Sequence, residues 1–279
     1  MDIVMHSYTF RTYPLREAFV YAQRFGWDGV ELQPCHFDRD HIDTELPDAI
    51  ALGQQYGVPI RCVDFGGDFI NEDAGVVEAA VGRMENEIAV CAANGVRLMN
   101  GGAGSLTEEG NDYGQNGSAL ATEAHYERAA EAFRHLGALA AKHEITIVFE
   151  IHMNALHDTI ASTARLLELI GADNVKANPD PGNMFATSTA ERDPEALEQI
   201  AGRIGYFHFK NCEEIAGAYN YSVKLADGHI DACKWLSKLV SMGYDGPVCI
   251  EYCGAGDPHV AAEQDLAYLR RCLEWAGGQ

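Results

Sequence analysis

The chain has 279 residues, 47% of them apolar, which suits one large buried core such as a barrel of roughly 250 residues. Its 42 acids outnumber its 20 lysines and arginines, giving a formal charge of −22 with no basic run, so nucleic acid is excluded as a partner. No stretch reaches the roughly 18 uncharged apolar residues of a membrane span, and the start MDIVMHSYTF lacks a signal-peptide pattern, so no membrane partner and a cytoplasmic location are expected.

Short apolar, β-rich runs alternate with helical patterns from end to end. Strands are expected over 3–7, 29–33, 59–64, 96–100, 145–150, 175–180, 204–209 and 247–251. Helix periodicity covers 15–25, 45–57, 74–94, 120–143, 159–171, 194–202, 231–242 and 260–275. Asp158 before Thr159, Asp193-Pro194 and Asp257-Pro258 are start signals for three of these helices. Eight strands alternating with eight helices imply parallel pairing through crossovers, and the simplest closure is a (β/α)8 TIM barrel, read as a single domain over 1–279.

The polar residues at the strand ends are Glu31, Asp64, Asn100, Glu150, Asp180, His208 and Glu251, at gaps of 33, 36, 50, 30, 28 and 43 residues. The two long gaps contain the inserts 101–119 and 211–230, which follow strands and therefore belong to the face where barrel active sites are built. The eight cysteines show no CxxC pair and read as reduced, mostly packed thiols.

Glu150 ends the apolar run ITIVFE, Glu251 ends PVCIE, and His208 sits in IGYFHFKN. An ionised group at such a position is costly unless it is paired or bound to metal. With Asp180 these residues form a set of three carboxylates and one imidazole. Such a set suits one divalent ion: Mn2+ first, with Mg2+, Co2+ or Zn2+ as alternatives. The competing account makes each residue a salt-bridged core charge.

The most specific stretches are EIHMNALHDT, NPDPGNM, FHFKN, DGHID and IEY. Through them, and from SYTFR and GWDGVEL to GPVCIEYCGAGDP and DLAYLR, the chain resembles the xylose isomerase-like TIM-barrel superfamily of sugar isomerases, epimerases and lyases. The resemblance implies one divalent ion on Glu150, Asp180, His208 and Glu251. EIHMNALHDT and FHFKN are especially similar to 3-dehydroshikimate dehydratases of this fold, in which the counterpart of His152 serves near the substrate. Asn183 stands where those dehydratases carry a further His. Leu156 stands where free-ketose 3-epimerases carry a further Glu. The apurinic endonuclease branch uses more histidines and a basic groove, both missing from this sequence.

The expected chemistry is proton abstraction next to a metal-bound carbonyl through an enediolate, on a small keto-sugar or keto-polyol. Glu150 and Glu251 are the acid/base pair of an isomerase or epimerase. His152 is the base of the alternative, a lyase acting on dehydroshikimate, an inosose or a 3-keto-glycoside. A non-catalytic sugar-binding barrel is the alternative of another class. Lys210 and Asn211 are read as holding substrate oxygens, with a structural pair the other reading of Lys210. Asn183 either orients a substrate hydroxyl or caps a turn; His6 either reaches the mouth or is a core histidine. His229 belongs to a loop covering the site or to a turn. Glu31 either backs the site residues from behind or supports the barrel end, and His157 with Asp158 is read as a helix start. A homodimer or homotetramer is the expected assembly.

Overall fold

The computed structural model describes residues 1–277, and its elements alternate along the chain. The first half runs β1 (Ile3–His6), α1 (Leu15–Phe25), β2 (Gly29–Leu32), α2 (Ile42–Tyr56), β3 (Ile60–Phe65), α3 (Ala74–Ala93), β4 (Leu98–Gly101) and α4 (Glu123–Ala141). The second half runs β5 (Thr146–Glu150), α5 (Ile160–Ile170), β6 (Val175–Asn178), α6 (Pro181–Thr187), β7 (Phe207–Phe209), β8 (Glu213–Ile215), β9 (Ala218–Asn220), α7 (Ala232–Ser241), β10 (Val248–Ile250) and α8 (Pro258–Gly277). Each expected strand is present, shorter by a residue or more at one or both ends in most cases. The expected helix at 194–202 is a 3-10 segment, Pro194–Ile200. Among the described residues no helix is long and apolar enough to cross a membrane.

Packing divides the chain into two compact units. The first holds 1–61, 193–195 and the residues from 207 onward; the second holds 62–192 and 196–206. In the first, parallel strands lie in the order β2-β1-β10-β7. In the second the order is β6-β5-β4-β3, again parallel.

In the second unit the core explains why the strand sequences read as unbroken apolar runs. Ile147, Val148 and Phe149 of β5 are all fully buried, as expected for a parallel strand covered on both faces. Phe133 of α4 packs its ring 4.6 Å from Phe149 and 4.7 Å from Phe69. That contact anchors β5 one residue before Glu150. In the first unit, Phe207 and Phe209 sit 4.8 Å apart on one side of β7, which by strand alternation turns His208 to the other side.

Three features depart from the sequence reading. The segment after β6 forms the short helix α6, with Asp180 as its N-cap and Pro181 at its first position. The insert 211–230 folds back as the antiparallel hairpin β8–β9, whose turn residues Ala216 and Gly217 have φ of 51° and 82°. The cysteines are not all reduced. Cys233 of α7 and Cys272 of α8 form a disulfide because two packed helices bring together residues 39 apart in sequence.

Asp265 of α8 accepts a hydrogen bond from the Leu225 backbone N–H at 2.8 Å and is 2% exposed. Burial pushes its carboxyl up to about 7. In the unfolded chain the group titrates near 3.9, so between about pH 4 and pH 7 the folded protein binds a proton that the unfolded chain does not. Stability attributable to Asp265 is therefore complete below about pH 4, falls as pH rises to about 7, and is level above. Asp265→Asn keeps an acceptor for Leu225 and removes the titration. The variant is expected to flatten this profile and to raise stability at pH 8 by up to about 4 kcal/mol, read from urea midpoints at pH 5 and pH 8.

Candidate active site

In the first unit the register of β1, β2, β10 and β7 collects polar side chains at the strand ends. His6 stands opposite Glu31, and His208 opposite Cys249. The two-residue period then puts Glu251 on the side of Cys249. His208 and Glu31 are fully buried, and Nε2 of His208 lies 2.9 Å from Oε2 of Glu31. A carboxylate only accepts, so Nε2 carries the proton and the lone pair is on Nδ1, the arrangement that presents imidazole as a ligand. Glu31 also accepts from Gln33 Nε2 at 2.9 Å. It therefore orients His208 rather than merely supporting a strand end.

His6 lies 3.8 Å from Glu31 and 3.9 Å from Glu251, with its ring centroid 5.4 Å from that of His208. Ligand atoms of His6, His208 and Glu251 all fall within 4.8 Å of one another. Lys210 donates to Glu251 Oε2 at 2.9 Å, and Cys253 Sγ lies 3.2 Å from its Oε1. Lys210 is thus the partner of a part-buried carboxylate. Asn211 is engaged by the backbone of the insert that follows it. Its amide donates to the carbonyls of Leu225 and Ile230 at 2.8 Å each and accepts from the N–H groups of Cys212 and Ile230 at 2.8 and 2.9 Å. All its capacity goes into folding the 211–230 insert. His229 accepts from the Glu214 N–H at 3.0 Å, beside the hairpin.

In the second unit, register places Asp64 beside Asn100 and Glu150 beside Asn178. Buried amides bind Glu150 from both sides: Asn100 Nδ2 reaches Oε2 at 3.3 Å, and Asn183 Nδ2 reaches Oε1 at 2.9 Å. Asn178 in turn donates to Asn100 Oδ1 at 2.9 Å. The same Asn183 Nδ2 lies 3.0 Å from Asp180 Oδ2, so one amide bridges the two carboxylates. Asp180 Oδ1 accepts from the N–H groups of Gly182 and Asn183 at 2.8 and 3.2 Å, capping α6. Asn183 thereby orients carboxylates, a role not foreseen from the sequence, and its buried Oδ1 has no hydrogen-bond partner.

A cavity of about 530 Å³ opens beside Glu150, lined by Asp64, Asp68, Ser105, His152, His157 and a series of glycines. His152 is exposed, and its Nδ1 lies 3.0 Å from the Met153 carbonyl. That carbonyl fixes the proton on Nδ1 and leaves Nε2 basic. His157 is more than a helix start: it is fully buried, and its Nε2 accepts from the Ala103 N–H at 3.0 Å. Burial lowers its pKa to about 4, so it stays neutral and pins the wall of the cavity. Thr159, not Asp158, caps α5, accepting from the Ser162 N–H at 3.0 Å.

The chain belongs to the xylose isomerase-like TIM barrel family, whose model matches residues 19–272. Its fold is accordingly the (β/α)8 barrel expected from the alternation of strands and helices. Over 99 residues it is 31% identical to a 3-dehydroshikimate dehydratase of Bacillus anthracis, covering 35% of this chain and 34% of that protein. Over 142 residues it is 29% identical to a probable L-ribulose-5-phosphate 3-epimerase of Mycoplasma pneumoniae, covering 51% and 45%. The matched segments thus span less than half the length of these relatives. A xylose isomerase-like TIM barrel protein from Mycobacterium smegmatis in complex with magnesium superposes with a TM-score of 0.77 at 18% identity, over 99% of this chain and 97% of that one.

Replacing Asn183 with Ala removes the donor between Glu150 and Asp180 and leaves a part-buried and a buried carboxylate without it. The variant is expected to lose about 1–3 kcal/mol in urea unfolding. A loss below about 0.5 kcal/mol would show that the amide does not hold these groups.

Proposed function

We propose that this protein is a divalent-metal-dependent isomerase or epimerase of a small keto-sugar or keto-polyol, built as one barrel domain over 1–279. Glu150, Asp180, His208 and Glu251 are its metal ligands. The observation that carries the reading is the preparation of these side chains. Amides hold Glu150 and Asp180, and the contact with Glu31 leaves the lone pair of His208 on Nδ1. Hard carboxylate oxygens with one imidazole fit Mn2+, Mg2+ or Co2+, and Zn2+ with less preference. The family and the magnesium-bound relative agree with that fit.

When bound, the ion supplies Lewis acidity to a carbonyl and its neighbouring hydroxyl. The chain's own groups move the proton. Glu251, held at Oε2 by Lys210, and Glu150, held by Asn100 and Asn183, are the carboxylates that take a proton from carbon and return it. Return on the opposite face gives an epimer, and return to the neighbouring carbon gives an isomer.

His152 supports a second reading, a lyase of the same fold. Its basic Nε2 and its place on the cavity wall allow removal of a proton with loss of a β-hydroxyl, and the dehydratase relative favours the same chemistry. The proposed assembly is a homodimer or homotetramer, supported by the exposure of Trp275 (59%) and Val260 (42%) on α8. A sedimentation run that returns only monomer contradicts it.

Proton NMR in D2O distinguishes the two reactions. Solvent deuterium in a substrate of unchanged composition is expected for the isomerase, and a new conjugated absorbance marks the lyase. Glu150→Gln is expected to lower kcat at least about 1000-fold with the fold intact by circular dichroism. Unaltered turnover removes Glu150 from the mechanism.

A further inference from the structure

A second reactive group stands on the loops of the first unit. We propose that Cys35 and His36 form a nucleophilic thiol–imidazole pair that adds covalently to small α,β-unsaturated carbonyl compounds entering the cavity beside them. None of the four proposed metal ligands takes part.

The loop between β2 and α2 builds the pair. The Gln33 N–H is held by Ser7 Oγ at 3.0 Å, and the His36 N–H donates to the Gln33 carbonyl at 2.9 Å, closing a turn over 33–36 with Cys35 at its third position. Phe37, the next residue, is buried and ties the turn to the core. Cys35 is exposed and outside any disulfide, and its Sγ lies 3.3 Å from Nδ1 of His36. Nε2 of the same ring lies 3.2 Å from the Phe10 carbonyl and 3.1 Å from the Tyr13 carbonyl. Carbonyl oxygens only accept, so the ring proton is on Nε2, and Nδ1 offers its lone pair to the thiol proton. A nucleophile, a base and a third group orienting the base are the parts an activated cysteine requires. Burial lowers the pKa of His36 below its ordinary value; the two carbonyls raise it, and the charge of His6 lowers it further. The imidazole is therefore neutral near pH 7 and able to accept.

A cavity of about 720 Å³ gives an organic molecule room beside the thiol. Tyr13, Pro14, Leu15, Pro34 and Phe37 supply an apolar and aromatic wall for a flat conjugated carbonyl, and Asp38, Arg39 and Glu45 are the charged residues that line it. Glu45 Oε2 accepts from the Asp38 N–H at 2.6 Å and Asp38 Oδ1 from the Asp40 N–H at 2.9 Å, so each carboxylate has a partner in the loop backbone. In the addition, sulfur supplies the electron pair of a new S–C bond at the β-carbon, and the C=C π pair moves toward the carbonyl. Nδ1 of His36 takes the thiol proton and returns it to the α-carbon. The adduct has the summed composition of the two reactants, with no oxidant, reductant or leaving group. A neutral base that takes one proton and gives it back completes this chemistry.

The test treats the full chain with N-ethylmaleimide, a neutral conjugated imide, and follows Cys35 by mass mapping of its tryptic peptide, residues 25–39. The synthetic peptide of the same residues is the reference, since it keeps the Cys-His sequence and lacks the Phe10 and Tyr13 carbonyls. At pH 6.5, Cys35 in the folded chain is expected to react at least about tenfold faster than in the peptide. From pH 6.5 to pH 8 its rate is expected to change less than about threefold, whereas a thiol with the ordinary pKa near 8.5 gains about 25-fold. His36→Gln, whose amide keeps a donor for the carbonyls but is no base, is expected to return both rate and slope to those of the peptide, with circular dichroism unchanged. A folded-chain rate at or below the peptide's at pH 6.5 overturns the proposal, as does a rate in His36→Gln equal to that of the native chain. Should His36→Gln not fold, the native chain's profile decides: a rise of about 25-fold overturns the pair, and a flat profile upholds it.

Discussion

The cost of keeping ionised groups at the ends of buried strands is the constraint on which this site depends. A carboxylate or imidazole placed after an apolar run loses its water, and it persists only where other polar groups replace that water. The protein meets the requirement separately in its two units. In one, Glu31, His208, His6, Lys210 and Glu251 form a chain of charge-assisted contacts. In the other, neutral amides from Asn100 and Asn183 bind the carboxylates of Glu150 and Asp180. The difference matters chemically. Amides orient an anion without neutralising it, so these contacts bring no balancing cation to Glu150 and Asp180. A lysine contact offsets charge as well, so Glu251 is held less as an anion and more as half of an ion pair.

The sequence revealed the parts whose physics is local. An acid or histidine closing an apolar run marks a strand end, and Glu150, His208 and Glu251 were each visible that way. The order of strands and helices followed from periodicity, because a parallel strand buried on both faces has no polar interruption until its end. Asp180 was legible as the polar end of the expected strand 175–180, although it stands within a Pro-rich turn rather than after a hydrophobic run, and the resemblance pointed to the same residue.

What stayed hidden depends on contacts between distant residues. Glu31 and His208 are 177 residues apart, and nothing near either one announces the pair. Asn183 offered two roles, substrate contact or turn, and the fold gave it a third as the bridge between carboxylates. Asn211 resembled a substrate ligand by its position after β7, yet its four hydrogen bonds fold the following insert. The helix α6 was legible in principle from Asp-Pro-Gly-Asn, an N-cap followed by proline at the first position, but it is too short to show periodicity. The Cys233–Cys272 bond was invisible for the same reason as Glu31: helix packing, not spacing, brings the sulfurs together.

The central claim is that four side chains serve one cation. Anomalous diffraction from crystals grown with Mn2+ tests it most directly. The account predicts a single peak per chain at roughly 2.0–2.3 Å from Glu150, Asp180, Nδ1 of His208 and Glu251. A strong peak elsewhere, or none at saturating Mn2+, would contradict it.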